Sequence, residues 1–208
     1  MSIRVITIER EYGSGGAAIA RRLADQLGWK LWDEELTDEI ARIGNVERRE
    51  VQRRDECMES PLHRLFNVFA RGSYERSLPI QGFDTDQMVV MLERVINDVA
   101  SRGNCVIVGR GSPWILRNRA DAAHFFIYAP MDEKLHRLSL LGKNEKEARE
   151  LLAQVDRERA TFIRHYFSKE WPTRALYDLM INSKYGDERV IDAIVQHVAA
   201  MERRHVHA

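Results

Sequence analysis

Three observations predict an α/β fold for this chain, a mostly parallel sheet covered by helices on both faces. Short β-branched runs alternate with amphipathic helical stretches. The first run, residues 3–8, passes through a glycine-rich turn straight into a helix. No internal repeat, low-complexity stretch or flexible linker interrupts the alternation, and strands alternating with helices imply parallel pairing buried on both sides.

Residues 3–8 are β-branched and bounded by charge and then glycine, so they read as a buried strand. Beyond the turn, Ile19, Leu23 and Leu27 recur at helical spacing with Ala20 and Ala24 beside them. Arg21, Arg22 and Asp25 turn outward, and Gly28 stops the helix. A second short strand, 29–32, ends at Asp33. The next fully apolar strand, Cys105–Val108, ends in Gly109, Arg110 and Gly111. Between these strands lie the charged stretch 47–59, a segment with Leu62, Leu65, Phe66 and Phe69, and an amphipathic helix over 86–101. The whole region 34–104 reads as a helical insertion packed on the sheet of a single domain, 1–208.

A fourth strand over 124–128 leads into a helix over 131–141. Asn144 then supplies an N-cap with Glu147 placed to reach back. The long helix that follows carries the arginine-dense piece 156–164 until Trp171 and Pro172 break it. Residues 177–182 form the last strand, with Tyr177 packed and Asp178 bonding locally. The last helix, 187–203, places Val190, Ile191, Ile194 and Val198 on one face.

Composition narrows the function. At 208 residues the chain suits one compact domain, and 32 basic against 32 acidic side chains give no net field for gripping nucleic acid. Cys57 and Cys105 are too few and too distant for a disulfide framework or a zinc cluster, so inert thiols in a cytoplasmic protein are expected. No stretch approaches the roughly 20 apolar residues of a membrane span. His205 and His207, near the end without acidic or thiol company, read as polar tail.

The chemistry centres on the turn Glu11-Tyr12-Gly13-Ser14-Gly15-Gly16-Ala17-Ala18. A glycine turn between strand and helix points backbone N–H groups one way, and the helix dipole adds positive potential there, so anions bind such places. The common phosphate loop G-x-x-x-x-G-K-[ST] adds a lysine for the outer phosphates and a hydroxyl for magnesium. Here Arg10 stands at the leading glycine, and Gly16, Ala17 and Ala18 supply neither lysine nor hydroxyl. A unit charge about 4 Å away at an effective dielectric near 20 contributes roughly 4 kcal/mol, so an uncompensated lysine loss costs on the order of a thousandfold in rate. Arg110 at a strand end suits bidentate phosphate recognition. Asp33 at the equivalent place is either a partner for ribose, substrate or magnesium water, or an N-cap for a helix beginning at Glu34.

V-I-T-I-E-R-E-Y-G-S-G-G, W-D-E-E-L at 32–36, V-I-V-G-R-G at 106–111, D-R-E-R at 156–159 and Y-D-L-M-I-N-S at 177–183 together resemble the cytidylate kinase-like family. The resemblance implies a three-layer αβα P-loop NTPase fold with a helical monophosphate-binding insertion and a helical lid, here 137–170. It also implies phosphoryl transfer from ATP, with magnesium bridging the outer phosphates, to a nucleoside monophosphate such as CMP or dCMP. True cytidylate kinases carry the loop lysine and G-R-D, whereas this chain has Gly16 and Gly111. The expected roles are ATP binding by Gly13, Ser14, Gly15, Gly16, Ala17 and Ala18 with Arg10, acceptor orientation by Asp33 and Arg110, and closure over the phosphoryl group by Arg137 and Arg159. Arg157 reads as a solvated helix face, and Asn182 and Ser183 as loose contacts to the base. The alternative is a nucleotide-binding or regulatory protein, with 47–59 offering a surface for a partner or a second copy of the chain.

Overall fold

A parallel sheet is buried when both of its faces are apolar, and the two-residue period of each strand here supplies both. The computed structural model describes residues 2–33, 36 and 85–204. Its five strands are β1 (Val5–Arg10), β2 (Lys30–Trp32), β3 (Cys105–Val108), β4 (Ala122–Tyr128) and β5 (Leu179–Asn182), in the order β2-β3-β1-β4-β5. All pairings are parallel: Val5 stands against both Cys105 and Ala122, Trp32 against Ile107, and Tyr128 against Asn182.

The helices are α1 (Gly16–Leu27), α2 (Thr85–Arg102), the single-turn α3 (Ser112–Ile115), α4 (Met131–Leu140), α5 (Glu145–Phe167) and α6 (Asp187–Arg204). Ile6, Ile8, Val106, Val108, Phe125 and Ile127 pack on one face with Ile19 and Leu23 of α1 and Val190, Ile191 and Ile194 of α6. Val5, Cys105 and Ile107 pack on the other with Leu92, Val95, Ile96 and Val99 of α2 and Phe162 and Ile163 of α5. Each such fully buried aliphatic side chain contributes about 1.5–3 kcal/mol. Three layers, helix, sheet and helix, are the result.

Local chemistry sets the ends of these elements. Gly28, at φ 63°, closes α1 with its N–H on the carbonyls of Ala24 and Asp25. Asn144 Oδ1 accepts the Glu147 N–H at 2.9 Å while Glu147 accepts the Asn144 N–H at 3.2 Å, the reciprocal cap expected from the sequence. The charged stretch 47–59, Leu62, Leu65, Phe66, Phe69, Cys57, His205 and His207 lie outside the described residues. So does most of the expected insertion.

Two expectations need correction. The fourth strand begins at Ala122 and the last only at Leu179. Asp178, expected to bond locally, instead accepts the backbone N–H of His124 on its side chain at 2.7 Å, 54 residues away in sequence, while its own N–H donates to the His124 carbonyl at 2.8 Å. Cys105 is inert as expected, since burial pushes its thiol up to about 11.

His124 is 6% exposed, and its Nδ1 lies 2.7 Å from the Thr7 hydroxyl inside the sheet. Burial holds its imidazole below the ordinary 6.5, with the Asp178 charge opposing in part. The unfolded chain therefore binds this proton before the folded one does. Folding stability is predicted to fall as the pH drops below about 6.5, and His124→Gln is predicted to flatten that slope in urea unfolding between pH 7.5 and 5.5.

Candidate functional site

β1 is buried throughout and delivers its carboxyl end, Glu9 and Arg10, to the edge where the chain turns into α1. Ser14 folds the turn inward, donating its hydroxyl to the Glu11 carbonyl at 2.8 Å and its N–H to the same oxygen at 3.3 Å. That side chain shapes the loop from within. Gly15 caps α1 at φ 80°, a left-handed conformation that an L side chain resists. The first-turn amides of Gly16, Ala17 and Ala18 have no intrahelical acceptor by construction, and the α1 dipole adds to them.

Cations from α4 close on this loop. The Arg137 guanidinium donates through Nη1 to the Ser14 carbonyl and to Ser183 Oγ (3.0 Å), and through Nη2 to the Ser183 carbonyl (3.1 Å). It lies so near the loop that a Cβ on Gly15 would stand 2.9 Å from Nη1. Lys134, which the sequence reading missed, sits three residues earlier on the same helix face. Its stem packs over Gly13, and its Nζ pairs with Glu11 Oε2 at 2.5 Å, with the residue 8% exposed. The i, i+3 spacing to Arg137 was the signal available.

A second group of charges lies at the ends of β1, β2 and β3. Asp33 Oδ1 is 3.9 Å from Arg10 Nη2 and 3.8 Å from Arg110 Nη1, and all three residues are buried. Arg110 holds φ 57° between Gly109 at 70° and Gly111 at 68°. A left-handed arginine costs roughly 1–2 kcal/mol, a strain that functional strand ends commonly carry. Glu9, also missed, holds this turn: its carboxylate accepts the Gly111 N–H and the Trp171 indole N–H, both at 3.3 Å.

α5 braces the loop from behind. Asp156 accepts the Tyr12 N–H at 2.8 Å, and Arg159 donates through Nη1 to the Arg10 carbonyl at 2.7 Å and to Asp156 at 3.2 Å. Burial pulls the Arg159 guanidinium down to about 10, with the Arg10 charge adding, and pushes the Asp156 carboxyl up. Arg159 is 1% exposed and already bonded, so here it holds the loop entry. Arg157 points to solvent as expected.

The profile of the cytidylate kinase-like family matches residues 5–185. The chain belongs to that family. Its structure is similar to an uncharacterized protein from Eubacterium ventriosum ATCC 27560 at 22% identity, covering 94% of this chain and 98% of that one with a TM-score of 0.69. It is also similar to a gluconokinase from Sinorhizobium meliloti 1021 (13% identity, 99% and 97% covered, TM-score 0.57). A sugar kinase from Janibacter sp. HTCC2649 is a further likeness (14% identity, 95% of each chain covered, TM-score 0.52). At these identities the likeness shows the fold alone, the αβα fold of P-loop kinases. No match is found among curated proteins.

Within this cytidylate kinase-like fold, the departure at Gly111 has a packing reason. A Cβ there would lie 2.6 Å from Phe167 Cε2, so the space that an aspartate of G-R-D would need is filled by an aromatic ring at the end of α5. Phe167 in turn stacks with Trp114 at 6.3 Å between centroids. Trp171 and Tyr177 pack on Phe126, at 5.5 and 5.1 Å, as packing residues. Ser183 is buried with its hydroxyl donated to the Ser14 carbonyl at 2.6 Å, and Asn182 accepts the Lys184 N–H at 3.0 Å. Ser183 thus supports the loop.

Arg159→Leu strips a buried, hydrogen-bonded charge and leaves Asp156 and the Arg10 carbonyl short of a donor, a predicted loss of about 3–5 kcal/mol in urea unfolding. Exposed Arg157→Ala is expected to stay within about 0.5 kcal/mol of the parent chain.

Proposed function

We propose that this protein is an ATP-dependent phosphotransferase acting on a small acceptor of the nucleoside monophosphate class. The observation that carries the reading is the position of the glycine loop between two sets of cations, Lys134 and Arg137 on the α4 side and Arg10 and Arg110 at the strand ends. Phosphoryl transfer asks the protein mainly for positioning and charge neutralisation, which such an arrangement supplies without a covalent intermediate.

The residues fit the phosphates of ATP: the first-turn amides at the α1 N-terminus have no intrahelical acceptor, and Arg137 lies against Gly15. Ala17 offers no hydroxyl, and among the described residues no three acidic, histidine or cysteine side chains gather into a metal-holding group. In this reading magnesium would enter on the nucleotide, with Asp33 contacting its water, and would supply neutralisation of the outer phosphates. Arg110 and Asp33 orient the acceptor in this reading. The Phe167 ring behind Gly111 favours an acceptor other than a cytosine nucleotide, since no side chain at 111 reaches one.

A specific observation favours a second reading, a nucleotide-binding or regulatory protein. Arg137 already spends its donors on the oxygens of Ser14 and Ser183, in a loop that lacks both lysine and hydroxyl. The charged stretch 47–59 would then serve a partner or a second copy. Among the described residues no helix is long and apolar enough to cross a membrane.

Coupled ATP turnover against a panel of nucleoside monophosphates and small hydroxylated acids separates the two. The first reading predicts turnover with at least one acceptor and a loss on the order of a hundredfold in kcat/KM for that acceptor in Arg110→Lys, because a point charge replaces a planar fork. Background rates with every acceptor, alongside calorimetric ATP binding, would select the second.

A further inference from the structure

In the common phosphate loop a glycine stands first and a lysine seventh, whereas here Arg10 stands first and Gly16 seventh. The packing shows that these two departures are one. Ile6 and Ile8 face α1, and the two-residue period of the strand carries Arg10 to the same face. Its stem fills the space in front of Gly16: a Cβ on residue 16 would lie 2.6 Å from Arg10 Cβ and 2.9 Å from its Cγ. Carbon atoms do not approach so closely, so an arginine at 10 and a lysine at 16 exclude one another.

From Gly16 the side chain runs across β3. A Cβ on Gly109 would stand 2.1 Å from Arg10 Nη1, so the glycine after β3 is what admits the guanidinium. The head ends with Nη2 3.9 Å from Asp33, beyond hydrogen-bond reach. Arg10 is 3% exposed, yet its Nε and Nη2 find no hydrogen-bond acceptor among the described residues. Buried donors are nearly always satisfied, and two idle donors on one charged group mark a place prepared for an anion. Arg159, bonded to the Arg10 carbonyl and 1% exposed, carries an idle Nε beside it.

We propose that Arg10 is the cation of this phosphate loop, transposed from position 16 to position 10, and that its idle donors bind an oxygen of the terminal phosphate of a nucleoside triphosphate. The transposition stands on packing alone, whereas the choice of a triphosphate rests on the function proposed above. A lysine at 16 reaches its phosphate from the helix side. Arg10 reaches it from the strand ends, next to Arg110 and Asp33, and leaves the helix side to Lys134 and Arg137.

The test is a cycle between positions 10 and 16 on the full chain, read by thermal unfolding and by calorimetric titration with MgATP and with inorganic tripolyphosphate. Gly16→Lys alone is expected to lower Tm without tightening either probe. Arg10→Gln is expected to weaken both probes at least tenfold. The double variant Arg10→Gly with Gly16→Lys is expected to regain the Tm lost in Gly16→Lys and to bind MgATP at least tenfold tighter than Arg10→Gly. Should Gly16→Lys not fold, Gly16→Ala carries the same contact, costing Tm in the parent and none beside Arg10→Gly. An undiminished Tm in both Gly16 variants, an Arg10→Gln that binds as the parent does, or a parent that binds neither probe would overturn the proposal. Absence of turnover with every acceptor would remove the phosphotransferase reading and leave these differences in Tm and affinity standing.

Discussion

Asp33 sets the terms for the rest of this site, because one buried carboxylate faces two guanidiniums from neighbouring strand ends. Taking an arginine out of water costs several kcal/mol unless a partner offsets it. Arg10, Arg110 and Arg159 are all buried at this end of the sheet, and among the described residues the acids near them include Glu9, Asp33 and Asp156. Among the described residues, Nε and Nη2 of Arg10 and Nε of Arg159 reach no hydrogen-bond acceptor. Positive groups are held out of water only with such acidic partners beside them, and the idle donors of Arg10 are the ones proposed above for an anion.

The same economy ties the helices to the loop. α5 buries Val155, Phe162 and Ile163 in the hydrophobic layers, and between them places Asp156 and Arg159 on the backbone of Tyr12 and Arg10. α4 does likewise with Leu138 in a small apolar cluster and Lys134 and Arg137 at the loop. Apolar burial fixes the helix, and the helix then fixes the charge to within hydrogen-bond distance. This is the preorganisation on which charge-stabilising sites depend, since groups already in place pay no reorganisation when an anion arrives. The ring of Phe167 acts by packing alone, since at the end of α5 it fills the space that a side chain at position 111 would need.

Much of the architecture was legible in the sequence. Strand and helix periods, the glycine turn and the Asn144 cap are local signals, and the structure has each of them where the local chemistry put it, whereas α5 ends at Phe167 with Ser168 in a left-handed cap at φ 53°, ahead of the break expected at Trp171 and Pro172. The strand edges were less legible: Asp178 bonds His124 through both its backbone N–H and its carboxylate, and only the pairing of β4 with β5 reveals that. Glu9, a lone acid in a strand, carries no pattern of its own, and Lys134 carries only its i, i+3 spacing to Arg137. Their meaning comes from Gly13, Glu11 and Trp171, which the fold brings against them.

The sequence by itself determined the order of elements, the phosphate-loop backbone and the absence of its lysine, because these depend on residues within a turn or two of each other. Only the tertiary structure decided which charges meet. Arg159 finds a carbonyl 149 residues away, Arg137 an oxygen 123 residues away, and Arg10 a space left open by two glycines on different elements. Electrostatic contacts form through space at a few ångströms, and only chain folding sets distances on that scale between residues so far apart in sequence.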